Sequence, residues 1–110
     1  MTEASHTLDR LFETIRERKN ADPDSSYTAK LYAKGSKKIA QKVGEEGVEL
    51  ALAAALKDRD EVISESADLI YHMLVLWSDA GVDPSEIYAK LEEREGLSGL
   101  AEKASRSDNS

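Results

Sequence analysis

Residues 36–81 read SKKIAQKVGEEGVELALAAALKDRDEVISESADLIYHMLVLWSDAG, and this stretch decides the fold. It predicts two long helices, over residues 36–57 and 58–80, because the helix-capping sequence DRDE at residues 58–61 separates two runs that lack the alternation of a β-strand. The connection is only a few residues long, so we expect the two helices to form an antiparallel hairpin. Gly81 is expected to end the second helix, since glycine readily adopts the left-handed conformation that terminates helices.

Shorter helices are predicted on both sides of the hairpin. Residues 5–19 carry one apolar stripe, formed by Leu8, Leu11, Phe12 and Ile15. Residues 26–34 begin at a serine cap and are interpreted as a linking turn more than a structural helix. A fifth helix opens at Asp83 and Pro84 and ends before Gly96. The chain is therefore predicted to be all-α, with one domain over residues 1–96 and a small, polar, partly mobile tail over residues 97–110.

The composition excludes several classes of protein. The 110 residues suit a single domain, and 40% apolar with 34% charged residues indicates a soluble, folded chain. With 22 acidic and 15 basic residues, the net charge of −7 argues against binding to nucleic-acid backbones or anionic lipid. Neither a signal segment nor a membrane-spanning run is evident, so we expect a cytoplasmic location. Without cysteine, and with only two histidines, any bound metal must be held by oxygen.

The acidic residues of the two long helices form stripes. At about 100° per residue, one face of the first long helix collects Lys38, Lys42, Glu45, Glu46 and Glu49. Spacings of four, three and four place a second set on one face of the next helix, namely Glu61, Glu65, Asp68 and His72. The hairpin thus brings two acidic stripes onto neighbouring helices.

Two interpretations of these stripes are open from periodicity and charge alone: a solvated acidic groove and a carboxylate metal site. No lysine or arginine lies between Asp60 and Ala89 to neutralise the acids. A bound divalent cation would do so, and Mg²⁺ suits oxygen ligands best, with Mn²⁺ as a possible substitute. For His72 we favour a packed or hydrogen-bonded core histidine over a ligand, because it stands alone in an apolar helix.

Three further features bear on function and assembly. Lysines cluster at the entry to the first long helix, and Lys38 and Lys42 share the face of the acids, where they are expected to bind phosphate. Gly44 and Gly47 each cost that helix about 1 kcal/mol, which predicts close approach of a backbone or ligand. Residues 69–77 are apolar all round except at His72. A hairpin cannot cover such a helix, so we expect a dimer that completes a four-helix core.

The motifs resemble a known family. Residues 37–49, KKIAQKVGEEGVE, and residues 65–76, ESADLIYHMLVL, closely resemble phosphoribosyl-ATP pyrophosphohydrolases, as do SYT at residues 26–28 and the segment up to Gly35. The resemblance covers about residues 8–94. Its paired motif, Glu-Glu-x-x-Glu followed by Glu-x-x-Asp, is shared with the wider MazG-like superfamily of all-α nucleoside-triphosphate pyrophosphohydrolases. It therefore specifies the chemistry better than the substrate, and Gly47 departs from the alanine more usual at its position.

The resemblance implies Mg²⁺-dependent hydrolysis of phosphoribosyl-ATP to phosphoribosyl-AMP and pyrophosphate, the second step of histidine biosynthesis, by a dimeric helical protein. It implies a metal-ligand set, matched here by Glu46, Glu49, Glu65 and Asp68. Glu45 would orient water or support the ligands, so the catalytic set is Glu45, Glu46 and Glu49. Lys38 and Lys42 would contact phosphates. The cyclohydrolase often fused to this activity needs cysteine and histidine zinc ligands, so these residues are expected to perform the pyrophosphohydrolase step alone.

Two alternative functions remain at this point. One is a pyrophosphohydrolase acting on another nucleoside or deoxynucleoside triphosphate, which would need the same acids. The other is a non-catalytic helical dimer whose acidic groove binds a partner or a structural cation. Incubation with magnesium and phosphoribosyl-ATP, followed by detection of pyrophosphate, separates all three.

Overall fold

The computed structural model describes residues 3–95, with side chains described from residue 7 onward. This part of the chain forms α-helices and one 3₁₀ turn, Arg18–Asn20, and contains no strand, which confirms the all-α prediction. The helices are α1 (Glu3–Glu17), α2 (Tyr27–Lys34), α3 (Ser36–Ala55), α4 (Arg59–Ala80) and α5 (Pro84–Glu95). None of these helices is long and apolar enough to cross a membrane.

The two long helices, α3 and α4, form the predicted antiparallel hairpin and make the most extensive contact in the fold. Helix α3 ends at Ala55, two residues earlier than predicted, because Lys57 adopts a left-handed backbone with φ of 57°. The backbone N–H groups of Lys57 and Asp58 then donate back to the carbonyls of Ala54 and Ala53, both at 3.1 Å. Asp58 caps α4 as expected, since its Oδ1 accepts from the backbone N–H of Glu61 at 3.1 Å.

The core lies where α1 and α2 pack against the hairpin. Its large buried apolar side chains come from four helices and are Phe12, Ile15, Leu31, Ile39, Leu74 and Val75. Helix α2 contributes Leu31 and also buries Thr28 and Ala29, so the interpretation of residues 26–34 as mainly a linking turn is wrong. Its cap is confirmed, because Ser26 Oγ accepts from the backbone N–H of Ala29 at 3.1 Å. Eight residues thus act as a structural helix because three of them face the core.

Helix α5 is attached to α1. It begins as predicted after Asp83, whose Oδ2 accepts from the backbone N–H of Ser85 at 2.9 Å, while the side chain of Glu86 accepts from the N–H of Asp83 at 2.9 Å. The Tyr88 hydroxyl then donates to Asp9 Oδ1 at 3.1 Å and joins the two helices. The predicted tail, residues 97–110, lies outside the described residues, so the division at residue 96 stays a prediction.

The hairpin leaves large apolar side chains in solvent. We call Val48, Leu52, Leu56, Ile63 and Ile70 the exposed apolar set, since each is between 40% and 80% exposed. Within α4 only part of the predicted buried run is covered: Leu74 and Val75 are fully buried, whereas Met73 and Trp77 are partly exposed. The single chain therefore does not bury α4 on every side. Large apolar side chains exposed on adjacent helices are a feature of interaction surfaces.

A candidate metal centre between the two long helices

Three predicted ligands meet at the interface of α3 and α4. Glu46 and Glu49 lie one turn apart on α3, because a spacing of three residues places them on one side of a helix. Glu65 faces them from α4. Each of the three offers a carboxylate oxygen, and these oxygens lie within 4.8 Å of one another. The hairpin therefore gathers three of the four acids predicted as metal ligands, and we call these three the acid centre.

Burial makes this cluster costly without a positive ligand. Glu46 is only 7% exposed. One oxygen of Glu46 and one of Glu65, the Oε2 atoms, are buried and have no hydrogen-bond partner among the described residues. A hydrogen bond to Glu49, burial and repulsion from the neighbouring carboxylates raise the pKa of Glu65 to about 7. Buried, partnerless carboxylate oxygens close to one another are the donor set that a hard divalent cation binds.

Lys42 is the basic residue that touches the centre. Its Nζ lies 3.5 Å from Glu45 Oε1 and 3.6 Å from Glu46 Oε1. Burial alone would lower the pKa of Lys42, but the phenol of Tyr27 and these carboxylates together raise it. A charged amine thus lies at the edge of the acids. Metal binding to Glu46 would leave Lys42 free to bind an anionic oxygen.

Glu45 and Lys38 lie outside the three-acid cluster. Glu45 is exposed, and its Oε2 accepts a hydrogen bond from Gln41 Nε2 at 2.9 Å. This hydrogen bond, then the charges of Lys42 and Lys38, lower the pKa of Glu45. Glu45 is therefore an ionised, solvent-facing carboxylate next to the acid centre. That position suits contact with water or substrate better than structural metal ligation.

Asp68 is not brought into the cluster. It is exposed, and the three-acid group forms without it. Its charge nonetheless contributes to the raised pKa of Glu65, one turn earlier on α4. Asp68 thus stays a predicted ligand, near the acid centre but outside the set of oxygens that meet.

An aromatic cluster beside the centre was missed by the sequence analysis. The rings of Tyr27 and Tyr71 stack with centroids 6.3 Å apart, and His72 lies edge-on to both at 5.8 and 5.4 Å. His72 is 6% exposed and hydrogen-bonded at both ring nitrogens, so its interpretation as a core histidine is confirmed. The motif SYT at residues 26–28 contains Tyr27, the residue of α2 that takes part in this cluster. The sequence alone assigned Tyr27 no role, because its partners Tyr71 and His72 lie 44 and 45 positions further along the chain.

Open space lies on the α3 side of the centre. A shallow depression of about 730 Å³ is lined by Gln41, Gly44, Glu45, Val48 and Glu49. A Cβ atom added at Gly44 or Gly47 would meet nothing within 4 Å in the described part of the chain. The close approach expected at these glycines is therefore not made within one chain. A smaller cavity of about 320 Å³, beside Phe12 and Ser78, lies about 20 Å along α4 from Glu65 and contains none of the acids.

The fold and the centre define a class of protein: an all-α protein with a cluster of carboxylates between two antiparallel helices. Comparison with known proteins narrows this class. A sequence profile of the phosphoribosyl-ATP pyrophosphohydrolase family matches residues 8–95. The chain belongs to that family.

Individual members of the family are similar in sequence to this chain over most of their length. The phosphoribosyl-ATP pyrophosphatase of Azospirillum brasilense is 57% identical over 99 residues, covering 90% of this chain and 89% of the relative. That of Parvibaculum lavamentivorans is 59% identical over 101 residues, or 92% and 93% of the two chains. That of Paramagnetospirillum magneticum is 53% identical over 106 residues, or 96% and 97%.

Proposed function

We propose that this chain hydrolyses phosphoribosyl-ATP to phosphoribosyl-AMP and pyrophosphate, the second step of histidine biosynthesis. Family membership supports phosphoribosyl-ATP as the substrate, because the names of the family and of the relatives include it. The observation that carries the chemistry is the acid centre, with three carboxylate oxygens within 4.8 Å of one another. Two buried oxygens in it lack hydrogen-bond partners among the described residues. Burying such acids is unfavourable for the fold itself, which supports a functional role for them.

The metal proposed here is Mg²⁺, with Mn²⁺ as a substitute. Glu46, Glu49 and Glu65 would hold it, and we propose Asp68 as a fourth ligand from its place one turn beyond Glu65. The donor set fits, because hard cations take oxygen ligands and magnesium commonly keeps positions for water and phosphate. When bound, the metal supplies a Lewis acid that activates water and neutralises charge on the phosphates.

The chain's own residues would position the reacting groups. We propose that Lys42 and Lys38 bind phosphate oxygens, which reverses the sign of a protein with a net charge of −7 at the place where a polyanion must bind. Glu45 would orient the attacking water, since its carboxylate is ionised, solvent-facing and held by Gln41 at 2.9 Å. Water would attack the α-phosphorus, and pyrophosphate would leave.

The deciding experiment measures pyrophosphate release from phosphoribosyl-ATP, ATP and dUTP, each with magnesium and each with EDTA. The proposal expects release from phosphoribosyl-ATP, with kcat/KM at least about tenfold above the other two, and loss of release in EDTA. Preferential release from ATP or dUTP would instead favour a pyrophosphohydrolase of another nucleotide. No release from any of them would favour the non-catalytic acidic dimer.

We also propose that two copies of the chain form a dimer with a four-helix core. The exposed apolar set supports this, because Val48 and Leu52 on α3 and Leu56 at its C-terminal cap recur every four residues and are each about 60% exposed or more. Ile63 and Ile70 add apolar surface on α4. Exposed apolar residues on two adjacent helices are typical of an interface. Light scattering at micromolar concentration is expected to give twice the mass of 12.1 kDa.

A cytoplasmic location completes the proposal. It is supported by the proposed pathway, whose substrate is a cellular nucleotide. Fractionation of cells that produce the protein at native levels tests it. Recovery in the membrane or periplasmic fraction would contradict it.

A further inference from the structure

Tyr27 is an exposed aromatic residue that the fold holds rigidly. It is the first residue of α2, and 51% of its surface is exposed. Exposed tyrosines elsewhere in a chain are ordinarily free to change rotamer. Here two buried or half-buried residues of α4, Tyr71 and His72, contact the ring and fix its place.

The hydrogen bonds of His72 fix the direction of the Tyr27 hydroxyl. His72 Nδ1 lies 2.7 Å from the backbone carbonyl oxygen of Asp68. A carbonyl only accepts, so Nδ1 carries the proton and donates. In the neutral imidazole Nε2 is then an acceptor, and the Tyr27 hydroxyl, 2.9 Å away, donates to it. The hydroxyl is therefore turned inward.

Tyr71 supports the same ring from one face. The two rings stack at 28° with centroids 6.3 Å apart, and the Tyr71 hydroxyl is itself hydrogen-bonded to the buried Thr28. Helix α2 and helix α4 thus brace each other through this cluster. Tyr27 is held by these contacts and still leaves 51% of its surface open to solvent.

The ring lies at the border of the acid centre. The phenol of Tyr27 interacts electrostatically with Lys42, Glu46 and Asp68. It therefore shares its surroundings with the proposed phosphate-binding lysine and with two proposed metal ligands, Glu46 and Asp68. A rigid, exposed aromatic ring beside phosphate-binding groups is what a nucleotide site needs, because every base has a flat face that stacks on such a ring.

We propose that the adenine base of the substrate stacks on Tyr27, while its phosphates extend to Lys42 and the acid centre. This inference rests on the proposed function and adds the residue that binds the base. His72 and Tyr71 then act as positioning residues, because they hold the platform without touching the nucleotide. Base stacking contributes about 1–3 kcal/mol, which corresponds to about a 5- to 150-fold change in binding.

The test compares Tyr27→Leu, which removes the ring, with Tyr27→Phe, which keeps it. With phosphoribosyl-ATP, Tyr27→Leu should raise KM by about tenfold or more and change kcat less than about threefold. Tyr27→Phe should leave KM within about threefold of wild type. Tyr88→Leu, a matched loss of a tyrosine on α5, should not change KM. If Tyr27→Leu fails to fold by circular dichroism, Tyr27→Trp replaces it and should hold KM at or below the wild-type value.

Inhibition by inorganic tripolyphosphate, which has no base, separates stacking from effects on the metal. Its inhibition constant should be the same in wild type and Tyr27→Leu, whereas inhibition by AMP should weaken about tenfold or more. Equal weakening of both inhibitors, or an unchanged KM in Tyr27→Leu, overturns the stacking role. A raised KM in Tyr27→Trp overturns it as well. A wild-type protein that releases no pyrophosphate overturns the proposed function itself.

Discussion

The acid centre and the exposed apolar set both belong to the hairpin of α3 and α4, and both depart from the usual burial of side chains. The acid centre buries charged groups, whereas the exposed apolar set leaves apolar groups in solvent. Glu46 is 7% exposed although it is a carboxylate, whereas Leu52, further along α3, is 59% exposed although it is apolar. Burying a charge and exposing a large apolar side chain are both unfavourable within one isolated chain. The difference teaches that α3 and α4 carry two kinds of unfavourable surface, and each has its own proposed explanation: a cation bound by the acids and a second copy of the chain packed on the apolar residues.

Replacing a ligand of the acid centre should have the largest effect. Glu46→Gln and Asp68→Asn should each lower kcat/KM for phosphoribosyl-ATP by about a hundredfold or more, because each removes a proposed metal ligand while conserving size. Helix content by circular dichroism should stay unchanged, since the proposal assigns these acids to the metal and not to the core. Glu92→Gln, the same change on the exposed surface of α5, is the control. Near-wild-type activity in both variants would contradict the assignment of the centre.

Comparing Asp68→Asn with Glu46→Gln tests how many acids bind the metal, because Asp68 lies outside the three-acid cluster. If Asp68→Asn keeps activity while Glu46→Gln loses it, the ligand set is the three acids that meet.

A charge in the exposed apolar set should break the dimer. Leu52→Glu places two carboxylates in the proposed interface, and the loss of two buried leucines costs about 3–6 kcal/mol in total. We expect the dissociation constant to rise at least about a hundredfold, and light scattering to report a monomer. Leu91→Glu is the matched control, since Leu91 is similarly exposed at 55% but lies on α5. A wild-type mass for Leu52→Glu would show that this set is not the interface.

The stability of the metal-free protein should fall as the pH rises. The pKa of Glu65 is raised from 4.5 to about 7, so between these values the folded chain binds a proton that the unfolded chain has lost. This contribution is complete below pH 4.5 and is lost as the pH passes 7. Melting temperatures in EDTA should therefore decrease from pH 5 to pH 8.

Two comparisons isolate Glu65 in that measurement. Glu65→Gln should flatten the decrease, because the amide does not titrate, whereas Glu61→Gln, one turn earlier and exposed, should keep it. Magnesium should raise the wild-type melting temperature at pH 8, since it binds the folded state only. A melting temperature that rises from pH 5 to pH 8 in Glu61→Gln and wild type alike would contradict the assigned pKa.

The smallest effect is expected at the turn that joins the two helices. Lys57 is held at a φ of 57°, a conformation that favours glycine. Lys57→Gly should raise the free energy of unfolding by about 0.5–1 kcal/mol, measured by urea denaturation. Lys57→Ala removes the same charge but keeps the strained backbone, so it should give little or no gain. Equal gains in both variants would assign the effect to charge.

Much of the fold was predictable because the signals are local. The caps at Ser26, Asp58 and Asp83 and the termination at Gly81 are set by residues within one turn of each other, and all were found where predicted. The errors lie where local pattern and packing disagree. Helix α2 was underestimated because eight residues give little periodicity, and α3 ended early because Lys57 took a conformation that its side chain disfavours.

The acid centre was predictable only in part. Periodicity placed Glu46 and Glu49 together because they share one helix, and the hairpin placed Glu65 opposite them. Which acids meet depends on the rotation of α4 about its axis, and that rotation brings Glu65 inward and leaves Asp68 outside. Tyr27 and His72 illustrate the same limit, since their hydrogen bond joins residues 45 positions apart.

Hydrophobic period, capping residues and charge spacing act within a few residues, so the order of the amino acids was enough for an all-α hairpin with acids on its two helices. The packing of α1 and α2 against that hairpin acts over the whole chain. It alone selected three acids out of four, buried Glu46, braced Tyr27 beside them and left Leu52 and Ile70 in solvent.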